Sequence, residues 1–360
     1  MTEEIARKPG EELIPIREGE DFDHESLRVY LHGRLEAADG PIHVKQFGGG
    51  HANLTYLLRF GAGLAAVEYV MRRPPVGPVT ATAHDMGREY RALSILWKYF
   101  PPAPRAYVYC EDPSVIGAPF FIMERRSGVV VRHVVPEIFG GGNDPVANRK
   151  LSRVLIETLA DFHAVDPVEN GLDRLGKPEG FLARQVRGWT DRYKRAKTSD
   201  IAIVNELARW LEDNLPESPP PTLLHNDWRL DNMAVAQDDP GRCVAVYDWD
   251  MCTVGDPLAD LGSLLSLWFD PGEDLAVTSP MPTQVPGFMT RNEAVQHYVA
   301  RSGRDMSHLT YYFVFGTFKI AVVLQQIYHR YHHGQTKDAR FEPFGAVAEA
   351  LFQLAAARRP

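Results

Sequence analysis

The chain reads as an α+β protein in two unequal parts: a small antiparallel sheet carrying one main helix, then a larger and mainly helical region. Three observations predict this. Between residues 40 and 73, alternating runs are broken by Gly48-Gly49-Gly50 and Gly61-Ala62-Gly63, which is the pattern of strand, turn and strand. One apolar stripe at helical spacing follows, at Met86, Tyr90, Leu93 and Trp97. Beyond Glu124, helical periodicity takes over and only short strands interrupt it. With 360 residues the chain has room for two domains at roughly 100 to 200 residues each.

Taken in order, residues 1–25 form a charged arm broken by Pro9-Gly10 and Pro15. A short helix is expected over 26–35, then strands over 42–47, 54–60 and 64–71. The second of these alternates Leu54, Tyr56, Leu58 and Phe60 against Thr55, Leu57 and Arg59. The helix that follows stops at Pro101-Pro102, and two more strands are expected at 105–109 and 119–123. Residues 26–124 thus make the first part, 125–128 the joint, and 129–360 the second part. In the second part, helical patterns cover 148–163, 201–215, 258–269, 291–300 and 309–331, with strands near 233–236 and 243–248.

Composition narrows the class. Hydrophobic residues make up 44% and charged residues 24%, ordinary for a soluble globular chain. The 39 Lys and Arg against 47 Asp and Glu leave a net charge of −8, without the basic footprint of a nucleic-acid binder. Cys110, Cys243 and Cys252 are an odd number with no metal-ligand spacing, which points to a reducing compartment. The opening is acidic with no apolar run behind it, and the hydrophobic stretch 311–324 contains Lys319 and is too short for a bilayer. A cytoplasmic protein that binds neither membrane nor nucleic acid is expected, its oligomeric state left open.

The strongest chemical signal is His225-Asn226-Asp227-Trp228-Arg229-Leu230-Asp231-Asn232, followed sixteen residues later by Asp248 in Tyr247-Asp248-Trp249-Asp250. Between them Asp238-Asp239-Pro240-Gly241 forms the turn of a hairpin, expected to return Asp248 towards Asp227 and Asn232. Three oxygen ligands suit magnesium, which takes one or two protein carboxylates together with substrate phosphates. They also suit phosphoryl transfer, in which the protein positions the donor, holds the metal and orients the attacking hydroxyl.

His225-x-Asp227-x-x-x-x-Asn232 resembles the catalytic loop of the protein-kinase-like fold. With Tyr247-Asp248-Trp249-Asp250 and Gly255-Asp256-Pro257-Leu258-Ala259-Asp260, it is similar to the aminoglycoside phosphotransferase and choline kinase-like family. The resemblance implies a two-lobed kinase fold, with residues 26–124 as the nucleotide-binding lobe and 129–360 as the catalytic lobe. It implies ATP or GTP and magnesium as cofactors and a small-molecule hydroxyl as acceptor. Residue by residue, it makes Asp227 the catalytic base, Asn232 and Asp248 the magnesium ligands, and Arg229 a neutraliser of phosphate charge. His225 would hold the loop, Asp250 would assist at metal or substrate, and Asp260 would brace the catalytic loop.

The amino-terminal part adds to the resemblance. Gly48-Gly49-Gly50-His51-Ala52-Asn53 lies between two expected strands, as a phosphate-covering hairpin does, and Gly49, Gly50, His51 and Asn53 become cofactor-binding candidates. The strand end Met71-Arg72-Arg73-Pro74-Pro75 resembles the kinase-like domains associated with acyl-CoA dehydrogenases, with arginine where kinases have lysine. Arg72 is the candidate for the nucleotide phosphates and Arg73 the alternative, since alternation lets only one of them point inward. Glu89 would be the ion-pair partner of that cation. Glu124 to Arg126 would form the hinge whose backbone reads the base.

The expected activity is therefore a small-molecule kinase, with a nucleotide-binding pseudokinase module as the alternative and a metal-dependent hydrolase ranked last. The late aromatic residues, Tyr311, Tyr312, Phe315 and Tyr328 among them, read as core at helical spacing, and His329 with His333 as a solvated helix end. Sequence leaves open the acceptor, the choice between ATP and GTP, and the oligomeric state.

Overall fold

The computed structural model describes residues 13–48, 53–76, 85–273 and 281–360. In chain order the first elements are β1 (Leu13–Ile14), α1 (His24–Leu31), β2 (Ile42–Phe47), β3 (Leu54–Phe60), β4 (Val67–Arg73), α2 (Met86–Leu96), β5 (Ala106–Cys110), β6 (Phe120–Glu124) and β7 (Val129–Val130). There follow α3 (Pro145–His163), α4 (Phe181–Ala196), α5 (Ala202–Asp213), β8 (Thr222–Leu224), β9 (Met233–Val235), β10 (Cys243–Val246) and β11 (Thr253–Gly255). The last helices are α6 (Pro257–Ser266), α7 (Arg291–Ser302), α8 (Leu309–His332) and α9 (Phe344–Ala357). The chain divides into two compact units: Met1–Val129 with Met233–Asp238 and Cys243–Cys252, and Val130–Asn232 with Asp239–Arg242 and Thr253–Pro360.

The first unit is a six-stranded sheet in the order β1-β2-β3-β4-β6-β5, antiparallel at every pairing. One face carries Tyr56, Leu58, Tyr69, Met71, Phe120 and Ile122 against Leu27 and Leu31 of α1, a continuous apolar core. Strand alternation sends Arg73 to the same face as Tyr69 and Met71, and Arg72 to the opposite face, where α2 packs. The antiparallel pair β9–β10 and the one-turn 3-10 helix Trp249–Met251 belong to this unit, and that turn packs on α2.

Several boundaries differ from the sequence expectation for identifiable reasons. Helix α1 starts at His24 because the Asp23 carboxylate accepts from the Glu25 and Ser26 N–H groups. Strand β4 starts only at Val67 and runs on to Arg73, because Gly63–Ala65 turns as a 3-10 helix first. In α2 the buried face is Met86, Glu89, Ala92, Leu93 and Leu96, with Tyr90 half-buried and Trp97 outside the helix. The face is thus rotated from the expected stripe and contains Glu89.

Among its described residues the second unit holds seven α-helices and the antiparallel pair β8–β11. Two of its helices, α4 and α9, escape sequence reading. In α4 the buried Phe181, Leu182, Val186, Trp189 and Tyr193 are interspersed with Arg184, Arg187, Arg192, Lys194 and Arg195, and its start is a left-handed Gly180 with no side-chain cap. No helix among the described residues is long and apolar enough to cross a membrane.

Every residue of α6 is buried, and α8 lies directly against it. The approach depends on two glycines. A Cβ on Gly262 would strike the Tyr312 carbonyl, and one on Gly316 would come within 2.5 Å of the Gly262 carbonyl. Both obstacles are main chain, so neither side can yield cheaply. Gly262→Ala is therefore expected to lower stability by about 1–3 kcal/mol, seen as a fall in the urea midpoint; an unchanged midpoint would show that the two helices can separate at no cost.

Candidate active site

The chemistry-bearing loop of the second unit follows β8 directly. His225 is fully buried and Asn226 has φ +67°, a left-handed conformation that a non-glycine residue adopts only when its surroundings enforce it. The enforcing group is Asp260 on α6. Its carboxylate accepts from the His225 N–H at 2.6 Å and the Asn226 N–H at 2.7 Å, and a third contact comes from His163 Nε2 at 3.4 Å. Burial alone would raise the Asp260 carboxyl, but the His163 and backbone donors outweigh it and hold it below the usual carboxylate range. Burial pushes His163 down, so its neutral ring donates to Asp260 while Nδ1 accepts from the Tyr298 hydroxyl at 2.7 Å.

With the loop held in this way, Asp227 is shaped by its neighbours. The Asn232 amide donates to both the main-chain carbonyl and the carboxylate of Asp227, each at 2.8 Å. Arg229 Nε lies 2.9 Å from Asp231 and 3.5 Å from Asp227. Burial raises the Asp231 carboxyl, so that residue serves mainly to hold Arg229. Trp228 anchors the following turn: its ring stacks on Phe162 at 5.7 Å, and its N–H donates to the Leu155 carbonyl at 3.0 Å. His225 stands edge-on to the same ring, and its Nδ1 accepts from the Asp227 N–H at 3.3 Å.

In the first unit the centre is Arg72. Its guanidinium lies 2.9 Å from Glu89 of α2 and 2.9 Å from Asp248, while Arg73 on the other face donates to the Ile116 carbonyl. Asp248 follows β10 in a left-handed conformation, φ +65°, and Asp250 is one turn on, in contact with the amide of Asn53 at 3.4 Å. One guanidinium thus pairs with Glu89 and Asp248, and Asp250 lies in its field. Burial, together with the two neighbouring aspartates, pushes the Glu89 carboxyl up to about 8 despite the arginine. The cluster carries more negative charge than its one cation offsets.

Glu124 and Arg126 lie at the end of β6 and beyond it. The Glu124 N–H is spent on the Arg105 carbonyl at 2.8 Å, and the Arg126 carbonyl accepts from the Tyr247 hydroxyl at 3.3 Å. Their side chains pair with each other at 2.9 Å. Of the hinge expectation, the Glu124 N–H is therefore already committed to the sheet. Gly49, Gly50 and His51 lie outside the described residues. Among the described residues no group of three or more His, Cys, Asp or Glu side chains forms a metal cluster, and the neighbouring His329 and His333 rings, tilted at 33° to each other, take no part in one.

Sequence reading missed His163 and Lys319. His163 ends an amphipathic helix with nothing local to mark it, and Lys319 sits in the most apolar stretch of the chain, where the nearest expectation concerned membranes. Lys319 is buried and its ammonium donates to the Asn226 carbonyl at 2.7 Å.

Comparison with known proteins follows this geometry. The model of the phosphotransferase enzyme family, APH, matches residues 43–285. Acyl-CoA dehydrogenase family member 10 of Mus musculus is 31% identical over 345 residues, covering 95% of this chain and 31% of that protein. Acyl-CoA dehydrogenase family member 11 of Gallus gallus is 32% identical over 361 residues, covering 96% of this chain and 44% of that protein. The chain thus spans less than half the length of these curated relatives. A crystal structure from Ralstonia eutropha JMP134, provisionally named an aminoglycoside phosphotransferase, superposes with a TM-score of 0.79 at 29% identity, covering 94% of this chain and 99% of that one. The antiparallel-sheet unit and the helical unit are those of a protein-kinase-like α+β fold, and the chain belongs to the phosphotransferase enzyme family.

Proposed function

We propose that this phosphotransferase is a kinase that uses magnesium and ATP to phosphorylate a hydroxyl group of a small molecule. The observation that carries the reading is the Asp227 carboxylate, held at 2.8 Å by Asn232 on a loop whose backbone is tied to Asp260. A carboxylate fixed in this way is suited to orient an acceptor hydroxyl and take its proton as the oxygen attacks the γ-phosphorus. Arg229, paired to Asp231, keeps a guanidinium beside that carboxylate, where it would neutralise charge on the transferred group.

Each unit, taken by itself, holds a donor of the kind magnesium takes. Asn232 uses its amide nitrogen on Asp227, which leaves its oxygen as the atom suited to a hard cation, and Asp248 offers a carboxylate. Magnesium keeps waters and substrate phosphates as its other ligands, so no larger protein cluster is required. When bound, it would offset the phosphate charge that the aspartates otherwise repel. Arg72 would contact the nucleotide phosphates, with Glu89 fixing its direction.

The names of the curated relatives favour a hydroxylated acyl compound or a related metabolite over an antibiotic as acceptor. The test is ADP release across a panel of hydroxylated acyl compounds, amino alcohols and aminoglycosides. One compound should raise turnover above background, and Asp227→Ala should lower that turnover roughly 10²–10⁴-fold with nucleotide affinity retained. Removing magnesium with EDTA should abolish it. No turnover anywhere, together with a thermal shift by ATP that does not need magnesium, would point to a regulatory nucleotide-binding module.

The Arg72 reading makes a separate prediction. Arg72→Met strands Glu89 without a partner in the interior and should cost about 3–5 kcal/mol of stability, measured by urea unfolding. Arg72→Lys should recover most of that stability while weakening MgATP binding, because one ammonium cannot reproduce the planar fork. Equal ATP affinity in Arg72→Lys and the unchanged protein would remove Arg72 from the phosphate site.

A further inference from the structure

Lys319 is the one buried ammonium aimed at the chemistry-bearing loop among the described residues of the second unit. It sits on α8 within the run Tyr311–Lys319, every residue of which is buried. Taking an ammonium out of water is costly and is tolerated only where nearby groups compensate. Here the compensation is specific. The ammonium donates to the Asn226 carbonyl at 2.7 Å, lies in the field of the Asp260 and Asp227 carboxylates, and stands 5.8 Å over the Trp189 ring. Asp260 outweighs Asp227 among those charges.

The arrangement around Asn226 is a clamp. Its N–H is bound by the Asp260 carboxylate of α6 at 2.7 Å, and its carbonyl by the Lys319 ammonium of α8 at 2.7 Å. Both bonds are charge-assisted, hence shorter and stronger than neutral ones. The two helices that supply them are locked together by the close approach at Gly262 and Gly316. The residue so held is in the left-handed conformation, and the next residue is Asp227. The N–H and the carbonyl of Asn226 lie in the two successive peptide planes that flank its Cα, and the second of these planes is also held through the Asp227 N–H on His225 Nδ1 at 3.3 Å, so the direction in which Asp227 leaves the main chain is set.

We propose that Lys319 is a positioning residue for phosphoryl transfer: it grips the Asn226 carbonyl and so sets the direction in which Asp227 presents its carboxylate to the acceptor hydroxyl. This rests on the reading of Asp227 given above. It needs no contact between Lys319 and nucleotide or acceptor, so its loss should act on the chemical step and leave MgATP binding alone.

The test uses the full chain with Lys319→Met, which removes charge and donor, and Lys319→Gln, which keeps a donor. Hydrogen–deuterium exchange is followed in peptides covering residues 222–232 and, as a control, α3. In Lys319→Met the loop amides should exchange about ten times faster while those of α3 stay as they were. On a turned-over acceptor, kcat should fall on the order of 10- to 100-fold, as for a catalytic group displaced by about 1 Å. KM for MgATP should hold, and Lys319→Gln should lie between the other two. Loop exchange equal to that of the unchanged protein overturns the proposal, and so does exchange raised equally in α3, which marks a purely structural lysine. An unaltered kcat with a loosened loop also overturns it. If Lys319→Met does not fold, the same readings are taken on Lys319→Gln, with smaller effects expected. A wild-type chain without turnover on any compound sinks the kinase reading and the transfer role with it; the exchange result then decides the clamp alone.

Discussion

The second unit depends on one buried carboxylate accepting from two successive backbone N–H groups. Asp260 meets His225 and Asn226 in this way, and no other group could do so at that depth without its own compensation. The compensation is the neutral His163, itself tied to Tyr298, and the outcome is an ionised aspartate inside a helix that has no exposed residue. Around it the requirements nest. A left-handed Asn226 needs the carboxylate, the carboxylate needs α6 at that depth, and α6 reaches it only because Gly262 and Gly316 let α8 close on it. The loop is therefore a consequence of helix packing more than of its own sequence.

The first unit solves a different electrostatic problem. Arg72 is set among Glu89, Asp248 and Asp250, and burial, with the two aspartates adding to it, raises Glu89 well above its ordinary value. Burial that would be unstable for a lone glutamate is tolerable because the arginine forks to two partners at 2.9 Å. Arginine at this position is thus matched to its setting: one guanidinium reaches an α2 glutamate and an aspartate after β10 at once, which an ammonium does less well.

Sequence reading recovered the elements whose period is unambiguous and the loops whose residues are chemically rare in combination. Strand β3 followed from alternation and β2 from the run that ends on the glycines, and Asn232 was expected beside Asp227 from a motif that is local in sequence. What it missed was decided at a distance. Helix α4 buries its apolar face beneath a surface of arginines, which dilutes the pattern. Glu89 was expected as the partner of Arg72 through the resemblance, but its place on the buried face of α2 was not, because the cation that makes its burial tolerable lies 17 residues earlier, outside any window over the helix. Lys319 is the same case reversed: within α8 it is a charge spoiling an apolar run, and only the fold brings it to Asn226. Arg72 and Arg73 were separable only by which face of β4 meets the α1 core, a choice made by Tyr69 and Met71.

Six of the eight aspartates from Asp227 to Asp260, those outside the Asp238-Asp239 turn, show how far architecture consumes apparent chemistry. Asp260 braces the loop, Asp256 caps α6 and accepts from Tyr312 at 2.6 Å, and Asp231 restrains Arg229. Each of these three is buried or nearly so and already engaged with groups of its own unit. The other three of the six, Asp227, Asp248 and Asp250, retain partly solvated carboxylates, and each of them is steered by a neighbour: Asn232, Arg72 and Asn53 in turn. The acidity of this segment is therefore no measure of attraction for a cationic acceptor. Three of these aspartates stabilise the frame, and three more are aligned by amides and one guanidinium. Aligned carboxylates of that kind suit a reaction whose catalysis is mainly positioning and charge placement.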